Sequence, residues 1–266
     1  MKKLLLLLFS VIGMTQLTAY ADEPACPPHT AANVTALKQA VKWYTDSAEI
    51  KALYRQGYAI ALAYVENQVK QAHLKPHQWG VILDIDETAL NNGWYYRQCG
   101  DADSEAIFEH YVSIPEKSRA LPGVIHFVNT VHQLGGYVSF VTNRDGTYRD
   151  QTGNVLAATV DNLKKAGVYF DQVILANDQA NHSPSDKNPR FAAVISGVYD
   201  AKLMVWSNKL PPHQVIAWLG DNIQDFPSLK QKSTYQQANN SAVFAKFGQG
   251  YFILPNPIYG SWLGNP

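Results

Sequence analysis

The run Val81-Ile82-Leu83-Asp84-Ile85-Asp86-Glu87-Thr88 constrains this chain more than any other stretch. Its apolar residues, joined by Trp79 across Gly80, make a short β-rich segment that ends in two carboxylates. A parallel strand is covered on both faces and need not alternate, so the segment is expected to be a buried strand. The acidic end is then the carboxyl edge of the sheet, where open α/β folds hold their ligands. Side chains two apart on an extended segment point to one side, so Asp84 and Asp86 are expected to face a common site. Carboxylates that close ionise together only beside a cation, or else share a proton. Taken alone, the pattern also describes a strand followed by an acidic turn. The rest of the chain has to supply partners.

Downstream, strand patterns alternate with helix patterns. Val124, Phe127, Val128, Val131 and Leu134 mark a helix face stopped by Gly135-Gly136, with Pro122 suited to its first turn. Tyr137 to Val141, Gln172 to Ala176, Val215 to Leu219 and Tyr251 to Leu254 read as strands. Helices are expected over Val155 to Ala166, from Asn188-Pro189 through Val198, and briefly after Pro227. This alternation predicts a Rossmann-like α/β fold with a parallel sheet and right-handed crossovers. Ahead of it, residues 33–75 read as an N-terminal helical layer. Leu37, Val41, Tyr44 and Ala48, then Ile50, Leu53, Gly57, Ile60, Ala61, Tyr64 and Val65, set its apolar spacing. Asp46 with Glu49 suggests a helix start between them. That layer also offers a surface for a homo-oligomer contact. Residues 89–120 form a polar, aromatic insertion carrying Trp94, Tyr95, Tyr96, Phe108 and Tyr111. Those aromatics are either a substrate cap over the site or a small core of their own.

Lys2-Lys3, the apolar run Leu4 to Met14 and Ala19-Tyr20-Ala21 match a signal peptide over residues 1–21. The apolar run is shorter than the roughly 20 residues of a spanning helix. The expectation is an exported chain, periplasmic or secreted, with the main domain over 22–266 and no membrane span. In an oxidising compartment Cys26 and Cys99 could form a disulfide, whereas Cys26 could alternatively carry a lipid. Lys+Arg and Asp+Glu number 22 each, so no basic face is implied and a nucleic-acid polymer is not an expected partner.

Polar chemistry stands at successive strand ends: Asp84 and Asp86, then Thr142, then Lys187 after the third strand, then Asp221 and Asp225. The stretches Asp84 to Asn92, Phe140-Val-Thr-Asn-Arg144, Lys187-Asn-Pro-Arg190, Gly220 to Phe226 and Ile253 to Trp262 carry a family resemblance. Together they resemble the haloacid dehalogenase (HAD) superfamily, and within it the class C bacterial nonspecific acid phosphatases of subfamily IIIB. The resemblance implies a Mg²⁺-dependent phosphatase acting on small-molecule phosphate monoesters, nucleoside monophosphates among them. Asp84 would be the nucleophile and Asp86 the general acid and base. Mg²⁺ would be held by the Asp84 carboxylate, the Asp86 backbone carbonyl and Asp221. Thr142 and Lys187 would bind phosphate. Asp225, Asn143 and Arg144 would support the site, Asp225 by orienting Lys187 or metal-bound water.

The sequence departs from that family at Asn91, where an acidic residue is usual, and lacks the family's spaced Trp pair in Phe108 to Val112. Phosphotransfer to an acceptor alcohol would use the same residues, and a non-catalytic binding protein could keep the fold. None of the eight histidines sits in an Arg-His-Gly or His-Glu-x-x-His setting, so histidine-phosphatase and zinc-protease chemistry find no support.

Overall fold

The computed structural model describes residues 34–99, 105–112, 118–150 and 153–265; the expected signal peptide over residues 1–21 and Cys26 lie outside them. The N-terminal layer consists of α1 (Val34–Asp46) and α2 (Ala48–Gln71). They separate at Ser47, whose Oγ accepts from the Ile50 amide at 3.2 Å and caps α2. The helix start expected between Asp46 and Glu49 is thus present, and the Asp46 carboxylate pairs with Arg97. The inward face of α2 differs from expectation. Leu53 and Ile60 are 40% and 46% exposed, while Ile50, Tyr54, Tyr58, Ala61 and Val65 are buried. A phenol can be buried when its hydroxyl finds an acceptor. The acceptors here lie far along the chain, where helical periodicity cannot register them.

Strand β1 (Trp79–Leu83) is buried at every residue. The insertion after it contains β2 (Leu90–Asn91), α3 (Gly93–Cys99), α4 (Glu105–Val112) and β3 (Arg119–Ala120). Antiparallel pairing of Leu90 with Ala120 closes this insertion at its base. The chain continues through α5 (Val124–Gln133), β4 (Tyr137–Asp145), a small hairpin of β5 (Arg149–Asp150) and β6 (Gly153–Asn154), then α6 (Val155–Lys165). Next come β7 (Gln172–Ala176), α7 (Asn188–Ser196), β8 (Met204–Trp206), β9 (Gln214–Gly220), α8 (Gln231–Tyr235) and β10 (Tyr251–Ile253).

The six-stranded sheet has the order β10-β9-β1-β4-β7-β8. Every pairing is parallel except that of β7 with β8, which is antiparallel. The sequence pattern did not announce β8, since three residues carry no period. Two prolines are also placed differently: Pro122 lies in the turn before α5, and Pro227 in a turn before α8. Among the described residues no helix is long and apolar enough to cross a membrane.

Because β1 lies inside the sheet, its carboxyl end opens between those of β4 and β9. Asp84, Thr142 and Asp221 are thereby delivered to one edge by three adjacent strands. At the other end of β1, Trp79 is fully buried against Gly136. A Cβ at Gly136 would lie 2.4 Å from the Trp79 ring, a rigid neighbour with no space to yield. Gly136→Ala should therefore destabilise the fold by about 1–3 kcal/mol, the usual cost of overpacking. Chemical denaturation would show this as an earlier midpoint at unchanged slope.

Candidate active site

Beyond Leu83 the chain leaves the sheet and folds back on itself. The Asp84 amide still donates to Leu219 O at 2.9 Å, and Ala89 and Leu90 both donate to Ile85 O at 2.8 Å. Glu87 takes a left-handed φ of 53°, unusual for a residue with a side chain. The two carboxylates of the motif consequently meet different cations. Asp84 Oδ1 accepts from Lys187 Nζ at 2.5 Å. Asp86 is gripped by Arg144, with Nη2 donating to Oδ1 at 2.7 Å and Nε to Oδ2 at 3.0 Å. Asn92 Nδ2 also donates to Asp86 Oδ1 at 2.7 Å, and Thr142 Oγ1 donates to Oδ2 at 3.3 Å.

Lys187 stands at the start of α7 and bridges two carboxylates, donating to Asp225 Oδ1 at 2.6 Å as well. Asp225 closes a capping box after β9: the Asn222 amide donates to its Oδ2 at 2.8 Å. Gly220 permits this, because a Cβ there would lie 2.3 Å from Asp225 Cβ. Among the described residues no cation pairs with Asp221. It accepts from Thr88 Oγ1 at 3.2 Å and from Asn256 Nδ2 at 2.8 Å.

Burial and charge set the protonation of these groups. Burial pushes Asp84 up to about 7, against the pull of Lys187 and with Asp225 and Asp86 adding to the rise. Asp221 is raised well above the carboxylate range by burial, then by Asp225 and Asp84. Burial also opposes the charge on Asp86, but the Arg144 guanidinium outweighs it and holds the group below its ordinary range. Lys187 loses favourable hydration on burial, yet Asp225 and Asp84 raise it and keep it charged.

Asp84, Asp221 and Asp225 offer three carboxylate oxygens within 4.8 Å of one another. One lysine cannot balance three carboxylates, and the donors are hard oxygens. The set fits a small divalent cation. The Asp86 carboxylate is turned away toward Arg144, so only its backbone carbonyl could join such a site.

The remaining residues singled out in the sequence fall into two groups. Asn143 accepts from buried Arg190, and Arg144 also reaches Thr159 Oγ1 at 3.0 Å. In the insertion, Tyr95 and Tyr111 are buried with Cys99, and Trp94, Tyr96 and Phe108 pack against them. Tyr95 and Tyr111 thus present no open ring face to a ligand, while Tyr96 stacks on Tyr259 with centroids 4.9 Å apart. Cys99 is disulfide-bonded.

Sequence reasoning assigned no role to Glu87, Asn92, Asn256 or Tyr259. Glu87 is fully buried behind Asp86, accepting from the Asn92 amide at 2.7 Å and from Tyr259 Oη at 2.5 Å. Burial, with Asp86 adding, pushes it up to about 8. The available signals were Asn92 closing the first motif and the Pro255-Asn256-Pro257 segment near the C-terminus.

Comparison with known proteins gives the family and the fold. The family model described as HAD superfamily, subfamily IIIB (acid phosphatase) matches residues 13–262. Among solved structures, the class C acid phosphatase of Bacillus anthracis with tungstate bound is similar at a TM-score of 0.67 and 24% identity. A second structure of the class C acid phosphatase from that organism gives 0.66, also at 24% identity. In each case 86% of both chains is covered. At that identity the likeness speaks for the fold.

The raised carboxyls give a pH dependence. Folded Glu87 holds its proton to about 8 and Asp84 to about 7, whereas unfolded carboxyls release theirs near roughly 4. The folded state binds more protons across that window, so stability falls as pH rises through it. Asp86 acts with the opposite sign, but only below the ordinary carboxylate range. Metal-free protein in chelator should therefore melt at lower temperature at pH 8 than at pH 5. Added divalent cation should flatten the trend.

Proposed function

The chain belongs to the acid phosphatases of HAD subfamily IIIB, and on that footing we propose an exported, Mg²⁺-dependent phosphatase of small organic monoesters working through an aspartyl phosphate. Hydrolysis of phosphate monoesters is the activity of that family. The observation that carries the mechanism is the division of the two motif carboxylates between Lys187 and Arg144.

In this reading Asp84 Oδ attacks phosphorus as its bond to the ester oxygen breaks. Asp86 gives a proton to the departing alkoxide, leaving an aspartyl phosphate on Asp84. Asp86 then takes a proton from water, the water oxygen attacks phosphorus, and inorganic phosphate leaves with Asp84 restored. Lys187 and Thr142 bind the phosphoryl oxygens; Lys187, at 2.5 Å from Asp84, also favours the ionised nucleophile. Arg144 fixes the Asp86 carboxylate on two sides. Mg²⁺, held by Asp84, Asp221 and the Asp86 carbonyl, would supply the remaining positive charge on which phosphoryl transfer depends.

Nucleoside monophosphates are among the proposed substrates. Export rests on the leader pattern of residues 1–21, and the disulfide-bonded state of Cys99 suits an oxidising compartment.

Chelated and Mg²⁺-restored protein should be assayed on p-nitrophenyl phosphate beside Asp84→Asn. The expected result is turnover that needs the metal and falls by at least about 10³-fold in the variant, as for loss of a nucleophile that acts with its partners. Substantial turnover surviving both changes would sink the proposal.

A further inference from the structure

Two tyrosines of α2 reach out of the helical layer into the turn that carries Asp86. Tyr54 and Tyr58 are one helical turn apart and only 0% and 2% exposed. Tyr58 Oη donates to Thr88 O at 2.8 Å. Tyr54 Oη donates to Glu87 O, with Pro255 O at 3.1 Å as a second acceptor. Tyr44 of α1 backs this contact, its hydroxyl 3.4 Å from that of Tyr54.

The residues so held sit where the site is hardest to keep in shape. Glu87 is the left-handed residue between Asp86 and Thr88. A non-glycine residue persists there only when its surroundings impose the conformation. Thr88 in turn donates its hydroxyl to Asp221 Oδ1 at 3.2 Å. The carbonyls of Glu87 and Thr88 thus lie one and two peptides beyond that of Asp86, and the Thr88 side chain reaches across to Asp221.

We infer that Tyr54 and Tyr58 are positioning residues: they lock the Glu87–Thr88 peptides and so set the Asp86 carbonyl and Asp221 for the divalent cation. The N-terminal layer is on this account a working part of the site. The inference rests on the function proposed above. Neither tyrosine touches substrate or reacting atoms.

The test uses the double variant Tyr54→Phe/Tyr58→Phe in the full mature protein, which removes two hydroxyls and leaves the rings. Mg²⁺ binding is measured by calorimetry without substrate, and kcat and KM with p-nitrophenyl phosphate at saturating Mg²⁺. Weaker Mg²⁺ binding by about tenfold is expected, in the range seen when groups behind metal ligands are removed. The turnover number should fall by about tenfold, with KM within about twofold and a cooperative melting transition retained. Tyr64→Phe, on the same helix but packed on Phe252, should match wild type.

Unchanged Mg²⁺ binding and kcat in the double variant would overturn the inference alone. So would losses that merely track disappearance of the melting transition, checked against each single variant. Wild-type protein lacking Mg²⁺-dependent turnover would overturn both this inference and the function beneath it.

Discussion

Crowded negative charge at one edge of the sheet is the constraint that the rest of the site answers. Two carboxylates within 4.8 Å repel by roughly 3–4 kcal/mol at an effective dielectric near 20. That is a large share of the roughly 5–15 kcal/mol by which a domain is stable. Several such pairs cannot be left uncompensated. Lys187 answers for Asp84 and Asp225, and Arg144 for Asp86, all nearly buried. Asp221 is left to neutral donors, Thr88 and Asn256. The deficit of positive charge lies between Asp84 and Asp221, and that is where the oxygen cluster suits a divalent cation.

The same distribution separates the two motif carboxylates chemically. They are two residues apart and begin with the same intrinsic acidity. Burial lifts Asp84, while Arg144 holds Asp86 down. A carboxylate nucleophile must be ionised before it attacks, and an acid–base group must keep its geometry while its proton comes and goes. The bridging Lys187 favours the ionised form of Asp84, and the two-sided grip of Arg144 fixes the geometry of Asp86 while favouring its ionised form, the form the base step needs.

What was legible in the sequence was whatever local pattern encodes. Short apolar runs ending in polar residues marked β1, β4, β7 and β9, and with them the strand-end positions of Asp84, Thr142 and Asp221. The three-residue β8 was silent, and the reversed edge it makes was unforeseen. The supports of the site were silent for a different reason. Tyr54 meets Pro255 across 201 residues and Tyr259 meets Glu87 across 172. Such contacts leave no period in the chain. A phenol facing a distant carbonyl looks, in sequence, like any residue on a helix, so Leu53 and Ile60 were the more natural choice for the inner face.

Asp84 as the covalent nucleophile is the claim on which the rest turns. An aspartyl phosphate quenched in acid and reduced with borohydride becomes homoserine, which peptide mass spectrometry locates to one residue. Protein quenched during turnover of a phosphomonoester should carry homoserine at Asp84, with Asp86 unaltered and untreated protein blank. Homoserine at Asp86, or at neither residue while phosphate is being released, would contradict the account.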